Sequence, residues 1–169
     1  MTRFVFCILF LFLCVFMHSQ EGLPELLKKA KKFIFIEFFI IEPGFMWNTI
    51  LYILREKAKQ GVEVKIIYDS LGSISLSSSI YEKYLSSLGI QAKIFLPFVP
   101  ILDTGLNNRD HRKICVIDGN IGFTGGINLA DEYINEKIKY GHWKDTAILV
   151  KGDAVWRRKF PQSLCGLLV

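Results

Sequence analysis

The sequence predicts an α/β domain in which helices flank a mixed β-sheet on both sides. Apolar extended segments alternate along the chain with amphipathic segments that end at glycine, which is typical of strands joined by helices. Further along, two apolar segments are separated only by Asp118, Gly119 and Asn120, which indicates an antiparallel hairpin. With 169 residues, of which 51% are hydrophobic and 22% charged, the chain is long and apolar enough to enclose one core.

The first strand-like segment, residues 33–41, is apolar on both faces, as expected of a central strand. Glu37 interrupts this apolar pattern. Because a buried carboxylate is costly unless it is paired, Glu37 bonds a neighbouring cation or the backbone, or it belongs to a functional site. The amphipathic segment at residues 47–61 then predicts a helix that is capped by Asn48 and stopped by Gly61.

The same alternation continues up to the hairpin. We predict a strand, a helix ending at Gly89 and a further strand at residues 62–69, 77–89 and 90–97. Residues 97–110 contain proline, glycine and asparagine without any period, which predicts a loop. Functional residues often lie on loops, so the residues that follow this loop are of particular interest.

The first twenty residues differ in composition from the rest of the chain. Residues 4–17 are an unbroken run of 14 apolar residues behind Arg3. This run is shorter than the roughly 18 to 20 residues that span a bilayer, and it suits the core of a signal peptide. Met17 and Ser19 make a poor cleavage site, so a cleaved signal peptide and an uncleaved membrane anchor both remain open. We expect an apolar leader at residues 1–20 and a protein at the cell membrane.

The charge balance favours anionic partners. The chain has 21 lysines and arginines against 16 acidic residues, a net charge of +5, which suits phospholipid headgroups or nucleic acid without choosing between them. Lys28, Lys29, Lys31 and Lys32 form either the solvated face of a helix or a patch on anionic lipid. The spacing of the four cysteines suggests neither a disulfide framework nor a metal site.

The stretch RDHRKICVIDGNIGFTGGIN combines a strand pattern with polar side chains. Its two-residue period places His111 and Lys113 on one face, and the hairpin brings Gly125, Gly126 and Asn128 alongside them. An imidazole can attack phosphorus, an ammonium or amide can bind phosphate oxygens, and glycines leave room for a phosphoryl group. The sequence therefore predicts a phosphate-binding site at these five residues.

Taken singly, a histidine on a strand is more often a satisfied polar residue, and an aspartate before glycine is more often a turn residue. The set is more specific, because H-x-K-x4-D is followed after six residues by G-G-x-N. This spacing resembles the HKD signature of the phospholipase D superfamily. Gly126 replaces the serine that many members have at this position. The stretch from about Leu26 to Trp156, which includes the segment GHWKDT, is similar to the N-terminal catalytic half of bacterial cardiolipin synthases.

The resemblance implies a role for each matching residue. His111 matches the histidine that attacks phosphorus or protonates the leaving alcohol, and Lys113 and Asn128 match groups that bind the phosphate. Asp118 matches the motif acid and is counted with the catalytic residues, although its place in an Asp-Gly turn suggests that it orders the hairpin. Asp145 is expected to hydrogen-bond the imidazole and hold its tautomer.

The resemblance also implies the reaction, its partners and the domain limits. Residues 23–156 are expected to form a phospholipase D-like catalytic domain and residues 157–169 an atypical, truncated tail. The implied reaction is metal-free and cofactor-free transfer of a phosphatidyl group between two molecules of phosphatidylglycerol, or another anionic phospholipid, at a membrane. Members of the superfamily use two HKD motifs and this chain has one. A homodimer or a missing C-terminal half would supply the second. The alternatives are a dimeric phospholipase D-like nuclease or phosphodiesterase, with nucleic acid as the partner of the nuclease, and an inactive fragment.

Overall fold

The computed structural model describes residues 16–97, 109–139, 141–153 and 155, and the side chains from residue 22 onward. One sheet contains all the strands of this described part: β1 (Phe33–Phe38), β2 (Glu63–Asp69), β3 (Ile90–Phe95), β4 (Lys113–Ile117), β5 (Ile121–Gly125) and β6 (Ala147–Lys151). The strand order is β3-β2-β1-β4-β5-β6. The pairs among β1, β2 and β3 are parallel, and those joining β1, β4, β5 and β6 are antiparallel. The predicted mixed sheet is confirmed.

The sheet is covered on both faces, and the alternation of side chains in β1 shows how. Ile34, Ile36 and Phe38 point to one face, where they pack in the main core. The α-helices on this face of the described structure are α1 (Phe16–Lys28), α2 (Phe45–Lys59) and α3 (Ser79–Ser87). Phe35 points to the other face and packs with a smaller set, which consists of Ile67, Ile114, Val116 and the helical residue Val155. Because both faces are buried, β1 is the central strand that its apolar pattern predicts.

The start of α2 differs from the prediction. The helix begins at Phe45 rather than after a cap at Asn48. The backbone N–H groups of Phe45 and Met46 donate to the two carboxylate oxygens of Asp131, both at 2.9 Å. Asp131 thus does the work of a capping side chain from 86 positions along the chain. The prediction of Asn48 as the cap is wrong, because the capping side chain comes from a residue that is distant in the sequence.

The predicted ends of the helices and the hairpin turn are confirmed. Gly61 and Gly89 follow the C-terminal ends of α2 and α3 with φ angles of 83° and 79°, which favour glycine. Asp118 and Gly119, with φ angles of 52° and 72°, form the turn between β4 and β5.

Several sequence predictions concern residues that lie wholly or partly outside the described ones. These are most of the leader, most of the loop at 97–110 and the tail at 157–169. The helix α1 crosses the predicted boundary between leader and domain, since it begins at Phe16. Among the helices that the structure describes, none combines the length and the apolar composition needed to cross a bilayer.

Candidate functional site

His111 and Lys113 lie side by side where β1 ends and β4 begins. Lys113 is paired with Phe38 in the sheet, and the His111 ring lies against the ring of Phe39, with 4.2 Å between their centroids. The Lys113 ammonium is 2.8 Å from His111 Nδ1 and donates to the His111 carbonyl at 2.7 Å. The structure therefore brings together the pair that the two-residue period places on one face.

Asn128 reaches the same end of β1 from the segment after β5. Its Oδ1 accepts the backbone N–H of Ile40 at 3.0 Å, and its Nδ2 donates to the hydroxyl of Tyr133 at 2.8 Å. Lys113, His111 and Asn128 thus contact the consecutive residues 38, 39 and 40. Tyr133 is not among the predicted site residues, because nothing in the local sequence pattern shows that this side chain turns back towards Asn128.

The Lys113 side chain is buried, while the His111 side chain is exposed. Burial lowers the pKa of Lys113, and the negative charges of Asp145 and Asp110 act in the opposite direction. A desolvated ammonium interacts more strongly with an anion than one in water does. The site therefore offers a buried cation beside an accessible imidazole, which suits a phosphate ester approaching from solvent.

Gly125 and Gly126 allow residues 145–147 of the adjacent segment to approach them closely. A side chain at Gly126 would overlap the carboxylate of Asp145, and one at Gly125 would lie 2.7 Å from the carbonyl oxygen of Thr146. Asp145 is held there by the backbone N–H of Thr146 at 2.7 Å and the indole N–H of Trp143 at 3.3 Å. In the described structure, protein atoms thus fill the space beside both glycines, and Asp145 makes no hydrogen bond with His111.

Replacing Gly126 with alanine is expected to lower the free energy of unfolding by about 1–3 kcal/mol, since the added methyl group displaces the Asp145 carboxylate. Gly22 provides the matched control, because it lies within α1 with no atom within 4 Å of the position that a Cβ would take. Gly22→Ala is expected to be neutral or to stabilise the protein by up to about 1 kcal/mol. Urea denaturation checks both variants, and equal stability of Gly126→Ala and wild type would contradict the expectation.

A charge cluster of two buried carboxylates and a partly exposed guanidinium includes the residues on either side of His111. Arg112 Nη2 is 2.6 Å from Glu37 Oε1, and the Arg112 guanidinium makes two hydrogen bonds to the Asp110 carboxylate, at 2.8 and 2.7 Å. The cation that a buried Glu37 needs is therefore Arg112. Burial raises the pKa of Glu37 to about 8, and a hydrogen bond to Asp110 and the charge of Asp110 act in the same direction. A protonated Glu37 can donate this hydrogen bond to the ionised Asp110.

Asp118 lies at the other end of β4 from His111. Its carboxylate accepts the backbone N–H groups of Lys31, Lys32 and Phe33 at 2.9, 2.7 and 3.0 Å. Partial burial acts to raise the pKa of Asp118, but these three donors and the charge of Lys32 lower it. An extended strand advances about 3.3 Å per residue, so roughly 20 Å separates Asp118 from His111. The structure does not bring the motif aspartate to the site; it joins the hairpin turn to the start of β1.

Comparisons with known proteins agree with this architecture. Residues 23–147 match the family described as "Cardiolipin synthase, PLD-like domain". The cardiolipin synthase of Oceanobacillus iheyensis is 42% identical over 135 residues, which are 80% of this chain and 28% of that protein. Cardiolipin synthase 2 of Staphylococcus epidermidis (strain ATCC 35984) is 40% identical over 129 residues, which are 76% of this chain and 26% of that protein. The chain thus spans less than a third of the length of these relatives.

A solved structure shares the fold. It is that of Nuc, a phospholipase D family member from Salmonella typhimurium, which superposes with a TM-score of 0.64 over 88% of this chain and 86% of the other, at 16% identity. The family match covers most of the chain and includes the His111, Lys113 and Asn128 positions. The chain therefore belongs to the cardiolipin synthase family of phospholipase D-like domains.

Proposed function

We propose that the chain provides one half of a phosphatidyltransferase site that makes cardiolipin from two molecules of phosphatidylglycerol. The observation that carries the proposal is the meeting of His111, Lys113 and Asn128 at residues 38–40. An exposed imidazole, a buried ammonium and an amide at one strand end are the groups that a displacement at phosphorus requires. Family membership favours a phospholipid over other phosphate esters.

The proposed reaction has two displacements at phosphorus. In the first, an imidazole nitrogen attacks the phosphorus of one phosphatidylglycerol, a P–N bond forms, and the P–O bond to glycerol breaks. The departing alkoxide takes a proton from a general acid and leaves as glycerol. In the second, the hydroxyl of another phosphatidylglycerol loses its proton to a base and attacks the phosphohistidine, which yields cardiolipin and frees the imidazole.

In this scheme His111 is the nucleophile or the general acid. Lys113 and the amide N–H of Asn128 bind the phosphate oxygens and stabilise the negative charge that grows in the transition state. Asp145 acts through its charge on Lys113 rather than through a bond to His111. Gly125 and Gly126 allow the strand before Asn128 to pack against residues 145–147, which places Asn128 beside the pair. We assign Asp118 a structural role in the domain.

The site needs a second histidine, because one group must attack while another handles the protons. The exposed His111 leaves room for it. We propose that a second HKD half, from another copy of this chain or from a further segment of the polypeptide, faces His111. The apolar leader and the basic residues that follow it support a location at the surface of an anionic membrane.

The test is transfer by the chain on vesicles of phosphatidylglycerol, alone over a range of protein concentrations and together with a separately produced second catalytic half. Cardiolipin and glycerol should appear in equal amounts, either when the chain dimerises or when the second half is added. Cleavage of single-stranded DNA without lipid transfer would favour the nuclease, to which the net charge of +5 is also suited. If the chain shows neither lipid transfer nor DNA cleavage in the presence of a folded second half, the inactive fragment is favoured.

A further inference from the structure

The Asn128 amide has only one possible orientation. The backbone N–H of Ile40 can only donate, so the oxygen of the amide must face it, at 3.0 Å. The nitrogen then faces Tyr133, whose hydroxyl oxygen accepts one of its two hydrogens at 2.8 Å. The side chain of Asn128 is buried, and among the described residues the second amide hydrogen has no protein acceptor.

Tyr133 is itself rigidly held. It is buried within the hydrophobic core, and its ring makes an edge contact with the ring of Trp143, with 4.6 Å between centroids. Asn135, in a left-handed conformation, binds the Trp143 backbone twice: its oxygen accepts the N–H at 2.6 Å and its nitrogen donates to the carbonyl at 3.1 Å. Trp143 in turn donates to Asp145. Tyr133 and Trp143 therefore connect Asn128 to the acidic residue near Lys113.

We propose that Tyr133 is a positioning residue, whose hydroxyl fixes the Asn128 amide so that the second N–H points at the substrate phosphate. The proposal rests on the phosphate-binding role given to Asn128 above. Without an acceptor at Tyr133, the amide loses one of its two anchors and rotates more freely. Burial raises the pKa of the Tyr133 hydroxyl, so this group stays neutral at physiological pH and does not repel an anion.

The chain offers a matched control for removal of the hydroxyl. Tyr81 accepts a hydrogen bond from the indole N–H of Trp47 at 2.7 Å, on the helix-covered face of the sheet. In the part of the chain that the structure describes, Tyr81 makes no hydrogen bond with Asn128. In both Tyr133→Phe and Tyr81→Phe, a side-chain N–H group loses the tyrosine hydroxyl that accepts its hydrogen bond. Only Tyr133→Phe should change the Asn128 amide.

The experiment follows the side-chain amide resonances of Asn128 by ¹⁵N NMR in the full chain, before and during titration with inorganic phosphate. In Tyr133→Phe we expect faster exchange of the amide protons with water. We also expect phosphate affinity to fall about threefold to tenfold, the usual effect of losing one hydrogen bond. Tyr81→Phe should match the wild type in both measurements.

Asn128→Asp separates the two ideas, because it keeps the acceptor for Ile40 but has no N–H. If Asn128→Asp loses phosphate binding while Tyr133→Phe matches the wild type in both measurements, the positioning role is wrong and the phosphate role of Asn128 stands. If Asn128→Asp binds phosphate as the wild type does, that phosphate role is wrong, and the inference about Tyr133 fails with it.

Discussion

Replacing His111 with asparagine is expected to lower phosphatidyl transfer by at least about a thousandfold, to the background of the assay. Asparagine is polar and of similar size, but it has no imidazole to attack phosphorus or to exchange protons. The fold should survive, because the His111 side chain is exposed and its ring lies against Phe39 and the Lys113 ammonium rather than within the core of the described structure. The measurement is cardiolipin formation from phosphatidylglycerol vesicles by the chain assembled with whichever second half it requires.

His142 provides the control for this variant. It is an exposed histidine that makes no hydrogen bond or ring contact with the other described residues, and His142→Asn should retain wild-type turnover. Circular dichroism and the denaturation midpoint should be the same for both variants. Wild-type turnover by His111→Asn would show that this histidine is not the reacting group.

The second large effect concerns stability at alkaline pH. Glu37→Gln is expected to stabilise the fold by on the order of 2 kcal/mol at pH 9 and to leave it nearly unchanged at pH 5. In the folded protein the pKa of Glu37 is raised from 4.5 to about 8. Burial is the larger cause, and the neighbouring Asp110 is the second. The folded state therefore retains a proton that the unfolded chain has lost, and wild-type stability falls as the pH rises from about 4.5 to about 8. Glutamine stays neutral and can still donate to Asp110.

The check is a series of urea denaturation curves between pH 5 and pH 9. Asp110 does not obscure the result, since its pKa is lowered and its contribution to stability is lost only in acid. Glu63→Gln is the control, because the Glu63 side chain, at the start of β2, is 45% exposed and is paired with Lys65. Glu63→Gln should keep the loss of stability at alkaline pH. A Glu37→Gln curve parallel to that of the wild type would show that Glu37 is ionised throughout this range.

Local pattern was sufficient to predict the parts of the fold that depend on neighbouring residues. The two-residue period placed His111 and Lys113 together, and Gly61 and Gly89 marked the ends of helices because a left-handed residue is needed there. The need of Glu37 for a polar partner could also be predicted, since a carboxylate buried inside an apolar strand is costly unless it is paired.

The contacts that local pattern did not predict join residues far apart in the chain. Asp131 caps α2 from 86 positions away, and Asp118 binds residues 31–33 across 85 to 87 positions. The partner of Glu37 could be named as a cation but not as Arg112, since only the register of β1 against β4 brings them together. The link from Asn128 to Tyr133 is short in sequence, but it depends on a 3-10 turn at Asp131–Ile134 that has no clear sequence signal.

The central place of β1 in the sheet also bears on how the protein is synthesised. Its first partner, β2, follows within 30 positions, whereas β4 begins 75 positions after the end of β1. Synthesis proceeds at about 5–20 residues per second, so a nascent chain exposes one apolar, unpaired edge of β1 for several seconds. Unpaired strand edges of this kind attract other chains. We therefore expect the free edge of β1 to be prone to pairing with other chains until β4 has been synthesised.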